Sequence, residues 1–209
     1  MEFKDFVDKC VAIFQEAKNK KLISLRVRRG RAGNCSSACE DLIAIGISEM
    51  IPQRYNLLVD YPLTVRCKDQ KRAEMIYPDI TILSGDKLIG LIEVKNDLGY
   101  MSEDWERQNR EKLETLQKAE LITYRKNVNA GVKEPKIPIV PVKKLDQIII
   151  VITGKNDHDK TKLLNLHTCF ILMPSHHPNH LSATKNIPEI IKNESGWHEL
   201  KKYLTEHYI

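Results

Sequence analysis

The chain has 209 residues, 42% of them hydrophobic, which is enough for one fully buried core and short for two. Its 33 Lys and Arg against 28 Asp and Glu leave a net charge of +5, too mild a balance to select nucleic acid without local clustering. The longest apolar run, Ile148 to Ile152, is far too short to cross a bilayer, and the start at Met1-Glu2-Phe3 has no signal-peptide core. The expectation is one domain over residues 1–209, cytoplasmic and with no membrane partner. Cys10, Cys35, Cys39, Cys67 and Cys169 are an odd, scattered set that suits a reducing compartment better than a disulfide framework. Cys35 and Cys39 with Cys67 would be the seed of a zinc site, but no second tight pair accompanies them and free thiols are the plainer reading.

In chain order, Phe3, Phe6, Val7, Cys10, Val11 and Phe14 recur at helical spacing and predict an amphipathic helix over 2–19. A basic loop with two glycines, Arg26 to Asn34, leads into a helix over 37–50 that turns Leu42, Ile43, Ile45, Ile47 and Met50 inward, with Pro52 beyond its end. Strands are predicted over 57–67, 75–83 and 88–95, the last two joined by a turn at Ser84-Gly85-Asp86, as a three-stranded meander. Helix formers fill 103–126, with Ser102 placed to cap and Glu103 and Asp104 in the first turn. Pro135, Pro138 and Pro141 read as breakers of a surface connector over 127–144. Ile148 to Ile152 reads as a strand covered on both faces. A strand over 166–173 and a helix over 188–208, packed through Trp197, Leu200 and Leu204, complete the chain. The order helix, three strands, helix, strand describes an α/β core, a mixed sheet with helices on both faces.

Pro78-Asp79 on one predicted strand and Glu93-Val94-Lys95 on the next are the residues that point to chemistry. Alternation along a strand turns Glu93 and Lys95 to one face, and charge on an otherwise apolar strand is costly to bury without a purpose. Asp79 joins them only if the hairpin register sets it on that face. A three-residue loop pairing Leu83 with Lys87 would do so, whereas a two- or four-residue loop needs a bulge near Pro78. Two carboxylates and the Val94 carbonyl are hard oxygen ligands suited to magnesium, which keeps several waters. Lys95 would then orient the attacking water and offset charge in the transition state.

These residues, with Glu40 on an upstream helix and the element order above, closely resemble the PD-(D/E)xK nuclease superfamily, the restriction endonuclease-like fold. The resemblance covers about residues 37–153. It implies that Asp79 and Glu93 bind Mg2+, with Mn2+ able to substitute, and that Lys95 assists the water. Some members add a glutamate on the first core helix and a glutamine on the helix after the motif, for which Glu40 and Gln108 are the candidates.

The supporting residues have alternatives. Ser37-Ala38-Cys39-Glu40 also fits a capping box that would occupy Glu40. Gln108, on the predicted helical face of Trp105, Lys112 and Leu116, would either reach the site or border the core. Arg26, Arg28, Arg29 and Arg31 are placed to neutralise phosphates, with Lys155, Lys160 and Lys162 as weaker candidates. Ser175-His176-His177-Pro178-Asn179-His180 offers imidazoles that suit zinc but lacks flanking acidic or cysteine partners, so a polar loop is the simpler reading.

The resemblance implies a magnesium-dependent DNA endonuclease, with restriction-type cleavage of double-stranded DNA by a homodimer as its first form, one component of a restriction-modification system. A Holliday junction resolvase or DNA-repair nuclease is the nearest alternative. A catalytically inactive DNA-binding or assembly module on the same fold is the alternative from another class.

Overall fold

In a computed structural model the chain is a mixed α/β protein with a central sheet of eight strands. The structure describes residues 1–19, 35–68, 72–97, 104–125, 136–155, 168–181, 187–192 and 195–209. Six helices, α1 (Phe3–Asn19), α2 (Ser36–Ser48), α3 (Trp105–Gln117), α4 (Pro178–Leu181), α5 (Ile187–Ile191) and α6 (Ser195–Tyr208), accompany the strands among these residues. The strands are β1 (Tyr55–Val59), β2 (Leu63–Cys67), β3 (Glu74–Ile76), β4 (Ile80–Ser84), β5 (Lys87–Asp97), β6 (Ala119–Arg125), β7 (Lys136–Thr153) and β8 (Thr168–Met173). No helix among the described residues is long and apolar enough to cross a membrane. The chain divides into two compact units, residues 53–93 with 101–148 and residues 1–52 with 94–100 and 149–209.

The first of these units holds β1 to β4, β6, α3 and most of β5 and β7, in a strand order β1-β4-β5-β7-β6-β2-β3. The expected three-stranded meander is instead five strands, because two predicted strands are each broken in the middle. Residues 57–67 divide at Asp60-Tyr61-Pro62, where Asp60 adopts a left-handed φ of 52°. Residues 75–83 divide at Tyr77-Pro78-Asp79. The fragments then take different partners: β1 and β5 flank β4, whereas β2 pairs with β3 and β6.

The predicted helix over 103–126 also ends early. Leu116 is its last core residue, and Ala119–Arg125 is a strand between β2 and β7. Ile122, Thr123 and Tyr124 are β-branched or aromatic and fit a pleated surface better than a helix. The proline-bearing segment from Lys136 is a strand too, and not a surface connector. Val140 donates its N–H to the Asp86 carbonyl at 2.9 Å. Pro138, two residues away, directs its missing donor to that same side, so its pairing with Thr123 of β6 is undisturbed. Leu63, Val65, Leu83, Leu88, Leu91, Leu116 and Ile122 form the core of this unit.

In the other unit the N-terminal helix forms where the 3.6-residue pattern places it, burying Phe3, Phe6, Val7, Cys10, Val11 and Phe14. Phe6 packs on Trp197 of α6 with ring centroids 4.8 Å apart. On α2 the buried stripe is Cys39, Leu42, Ile43, Gly46 and Ile47. Ile45, expected inside, is 51% exposed because it lies off that stripe. Ile149 to Ile152 are fully buried, as expected of a strand covered on both faces. The C-terminal helix is two helices, α5 and α6. At the start of α6 the backbone passes so close to β8 that a Cβ on Gly196 would overlap the Ile171 carbonyl.

Gly196→Ala should therefore destabilise the fold by about 1–3 kcal/mol or more through overpacking. Gly85→Ala, with open space but a φ of +62°, should cost only about 1 kcal/mol. Urea unfolding midpoints of the two variants and the wild type check this ordering.

Candidate active site

The placement of Asp79 depends on the hairpin between β4 and β5. Ser84 pairs with Lys87 and Leu83 with Leu88, so the turn has two residues, Gly85 and Asp86. A positive φ at Gly85, with none at Asp86, is the pattern of a type II′ turn. An uninterrupted ladder from that turn would set Asp79 across from Ile92, on the wrong face. One irregularity intervenes between Ile82 and Leu83, where Ile82 pairs with Gly90 and leaves Ile89 as the extra residue. Beyond it Ile80 faces Ile92, the last pair of the ladder; Asp79 lies one residue before β4, and the same register carried one step further would bring it opposite Glu93. The required bulge is thus present, but next to the turn and not near Pro78 as expected. Asp60 fixes the same end of β4 from the other side by donating its N–H to the Asp79 carbonyl at 2.8 Å.

Directly opposed residues hold their Cβ atoms about 4.5–5.5 Å apart, close enough for two carboxylates to share a ligand. Asp79 is half-buried, whereas Glu93 is 4% exposed. Its carboxylate accepts from the Lys112 ammonium at 2.5 Å, and that ammonium lies 3.4 Å from the Tyr77 carbonyl. Lys112 reaches the sheet because α3 buries the stripe Asn109, Lys112, Leu113 and Leu116, at spacings of three and four. The opposite face is solvated and carries ion pairs such as Arg107 with Glu111.

Gln108 is not on the buried stripe. It is exposed, about 100° around the helix from Asn109. The inward amide is that of Asn109, 2% exposed, and neither its Oδ1 nor its Nδ2 has a partner among the described residues. The Thr81 hydroxyl, on the strand face that carries Asp79, is likewise buried and unpartnered. Counting back from Leu116 by seven would have found Asn109 in the sequence.

Lys95 follows Glu93 on β5, half-buried and on the same face of that strand. Val94 is buried, and on its face Asn96 Nδ2 donates to Ser36 Oγ at 3.4 Å. Glu40, half-buried on α2, belongs to the same unit as Val94 and Lys95. The capping box expected around it is not formed. The N-cap is Cys35, without a side-chain capping bond, and Ser37 lies inside the helix. Arg26, Arg28, Arg29 and Arg31 lie outside the described residues, as do Lys160 and Lys162.

The histidine loop was read as polar, and it touches an acid that sequence reasoning passed over. His177 Nε2 is 3.8 Å from Oδ2 of the buried Asp97, at the end of β5. Burial pulls the His176 imidazole below its ordinary value, against the raising effect of Glu189, with His180 and Lys155 adding to the lowering. The cysteines are free thiols. A hydrogen bond to Cys39 and partial burial hold the Cys35 thiol far above its ordinary range. Cys67 donates to the Thr115 carbonyl at 3.6 Å, and among the described residues Cys35, Cys39 and Cys67 are not gathered as a metal site.

Among the described residues no group of three His, Cys, Asp or Glu is gathered as a metal site. The acidic pair nevertheless fits a hard cation. Magnesium needs few protein oxygens and keeps its waters. No family model, no curated protein and no solved structure matches the chain.

Two outcomes follow. Glu93→Gln together with Lys112→Met should fold nearly as stably as the wild type, whereas Lys112→Met alone strips a buried carboxylate of its counter-charge and should cost about 3–5 kcal/mol in urea unfolding. His176, whose pKa is lowered on folding, contributes stability that is complete above about 6.5 and declines as pH falls toward the lowered value. His176→Gln should therefore flatten the acid side of the unfolding midpoint between about pH 7.5 and 5.5.

Proposed function

We propose that the protein is a metal-dependent DNA endonuclease with a restriction endonuclease-like core, of the PD-(D/E)xK type. The observation that supports this most is the β4–β5 register, which ends with Ile80 opposite Ile92 and carried one residue further would bring Asp79 to Glu93, with Lys95 two residues along the same strand face. In this reading Asp79, Glu93 and the Val94 carbonyl hold Mg2+ or Mn2+, which supplies polarisation of a phosphoryl oxygen and a more acidic water. Lys95 orients that water through its ammonium and offsets negative charge on the phosphoryl oxygens. Arg26, Arg28, Arg29 and Arg31 supply phosphate contacts, and Glu40 serves a second cation where one binds. Cutting both strands of a duplex calls for two such sites, hence a homodimer and restriction-type cleavage, by analogy with the superfamily.

The Lys112–Glu93 pair favours one second reading, a catalytically inactive DNA-binding module, in which a protein ammonium permanently replaces the cation. Cleavage separates the two. Wild-type protein with Mg2+ should cut plasmid or linear duplex, and Asp79→Ala and Lys95→Ala should each lower the rate about 100-fold or more. Preference for four-way junctions over linear duplex would move the assignment to a junction resolvase. DNA binding without any cutting would leave the inactive module, and equal cutting by all three proteins would remove Asp79 and Lys95 from the mechanism.

A further inference from the structure

Glu93 is a buried carboxylate, and such a group is retained only beside a positive charge. Lys112 supplies one at 2.5 Å, from a side chain that is itself 23% exposed. Its second acceptor, the Tyr77 carbonyl at 3.4 Å, is long, so the ammonium has a route to solvent and little to hold it besides Glu93. A divalent cation bound by Asp79 and Glu93 would meet the same carboxylate from the same buried side of the hairpin. Lys112 occupies Oε1 of that carboxylate, and a divalent cation on the same group would lie close enough to the Lys112 ammonium for like-charge repulsion to weaken the binding of each. One turn before Lys112 on α3, the buried Asn109 amide has no partner among the described residues. A buried amide without a partner, one helical turn from Lys112, is a group that the resting arrangement leaves unsatisfied.

We infer that Lys112 is a resident counter-ion that competes with the divalent cation for Glu93, so that metal binding requires its displacement. The inference rests on the metal site of the proposed function and adds to it a control element on α3. Exchange of one cation for the other keeps the Glu93 charge compensated throughout. The apparent affinity of the resting protein for metal is lowered by the fraction of time that Lys112 holds Glu93. In this view Lys112 is a positioning residue acting through Glu93, and it does not itself touch the substrate.

The test measures Mn2+ binding to the full chain without DNA, by calorimetry or by the electron paramagnetic resonance signal of free Mn2+. Lys112→Met and Lys112→Gln should each bind Mn2+ about tenfold or more tightly than wild type, and Lys112→Arg should bind no more tightly than wild type. Adding Asp79→Ala to Lys112→Gln should abolish the gain, locating it at the acidic pair. Thermal unfolding gives a second readout: the Lys112 variants should be less stable than wild type in chelator and gain more than wild type on adding Mn2+. Lys112→Gln, which keeps a donor for Glu93, serves if Lys112→Met does not fold. Binding by wild type that is equal to or tighter than that of both variants overturns the inference while leaving the nuclease reading intact. If no form binds Mn2+, the inference and the metal-dependent reading fall together, whereas absent cleavage with preserved competition would remove the nuclease reading alone.

Discussion

The register between β4 and β5 is the constraint on which the candidate site depends. Both strands are buried on both faces over much of their length, with Ile80 to Leu83 and Leu91 to Val94 all inaccessible, so a slip of one residue would exchange charged and apolar side chains across the sheet. The two-residue turn imposes one parity on the ladder, and the residue bulged at Ile89 reverses it. Only that reversal gives Asp79, one residue before β4, the parity of the Glu93 face. A local irregularity near the hairpin tip thus governs which side chains meet at its far end.

Placing Glu93 there creates an electrostatic demand that α3 answers. The helix is polar overall, and its attachment to the sheet comes from a narrow stripe in which Leu113 and Leu116 supply apolar burial while Lys112 supplies charge. The stripe ends in Asn109, a polar residue whose amide is buried without a partner among the described residues. Packing alone would select an apolar side chain at that position. A buried acid, the ammonium that meets it and an amide without a partner among the described residues lie on adjoining elements, a costly set of polar groups to keep inside.

The elements legible in the sequence are those whose periodicity is intrinsic. The N-terminal helix, α2, β5 and the apolar run within β7 all lie where hydrophobic spacing places them, within about two residues. The errors fall where local signals and long-range pairing disagree. Residues 119–125 continue a run of helix formers yet pair with β2 and β7, since a strand there completes both ladders. The prolines after Lys136 suggested an irregular loop, but at Pro138 the missing donor faces away from β6. The resemblance points to Gln108, whereas the helical stripe back from Leu116 selects its neighbour Asn109.

By itself the sequence determined that the chain is a mixed α/β protein and that Glu93 and Lys95 share one side of a strand; it set Asp79 within a strand over 75–83 that the structure breaks at residues 77–79. These follow from the fixed two-residue period of a strand and the 3.6-residue period of a helix, which hold wherever the element is placed. Tertiary structure alone decided the bulged register between β4 and β5, the contact of the Lys112 ammonium with the Glu93 carboxylate, and Asn109 as the inward amide. Each of these depends on which residue one element sets against another, and a bulge of one residue or a rotation of 100° changes the answer without altering any local preference.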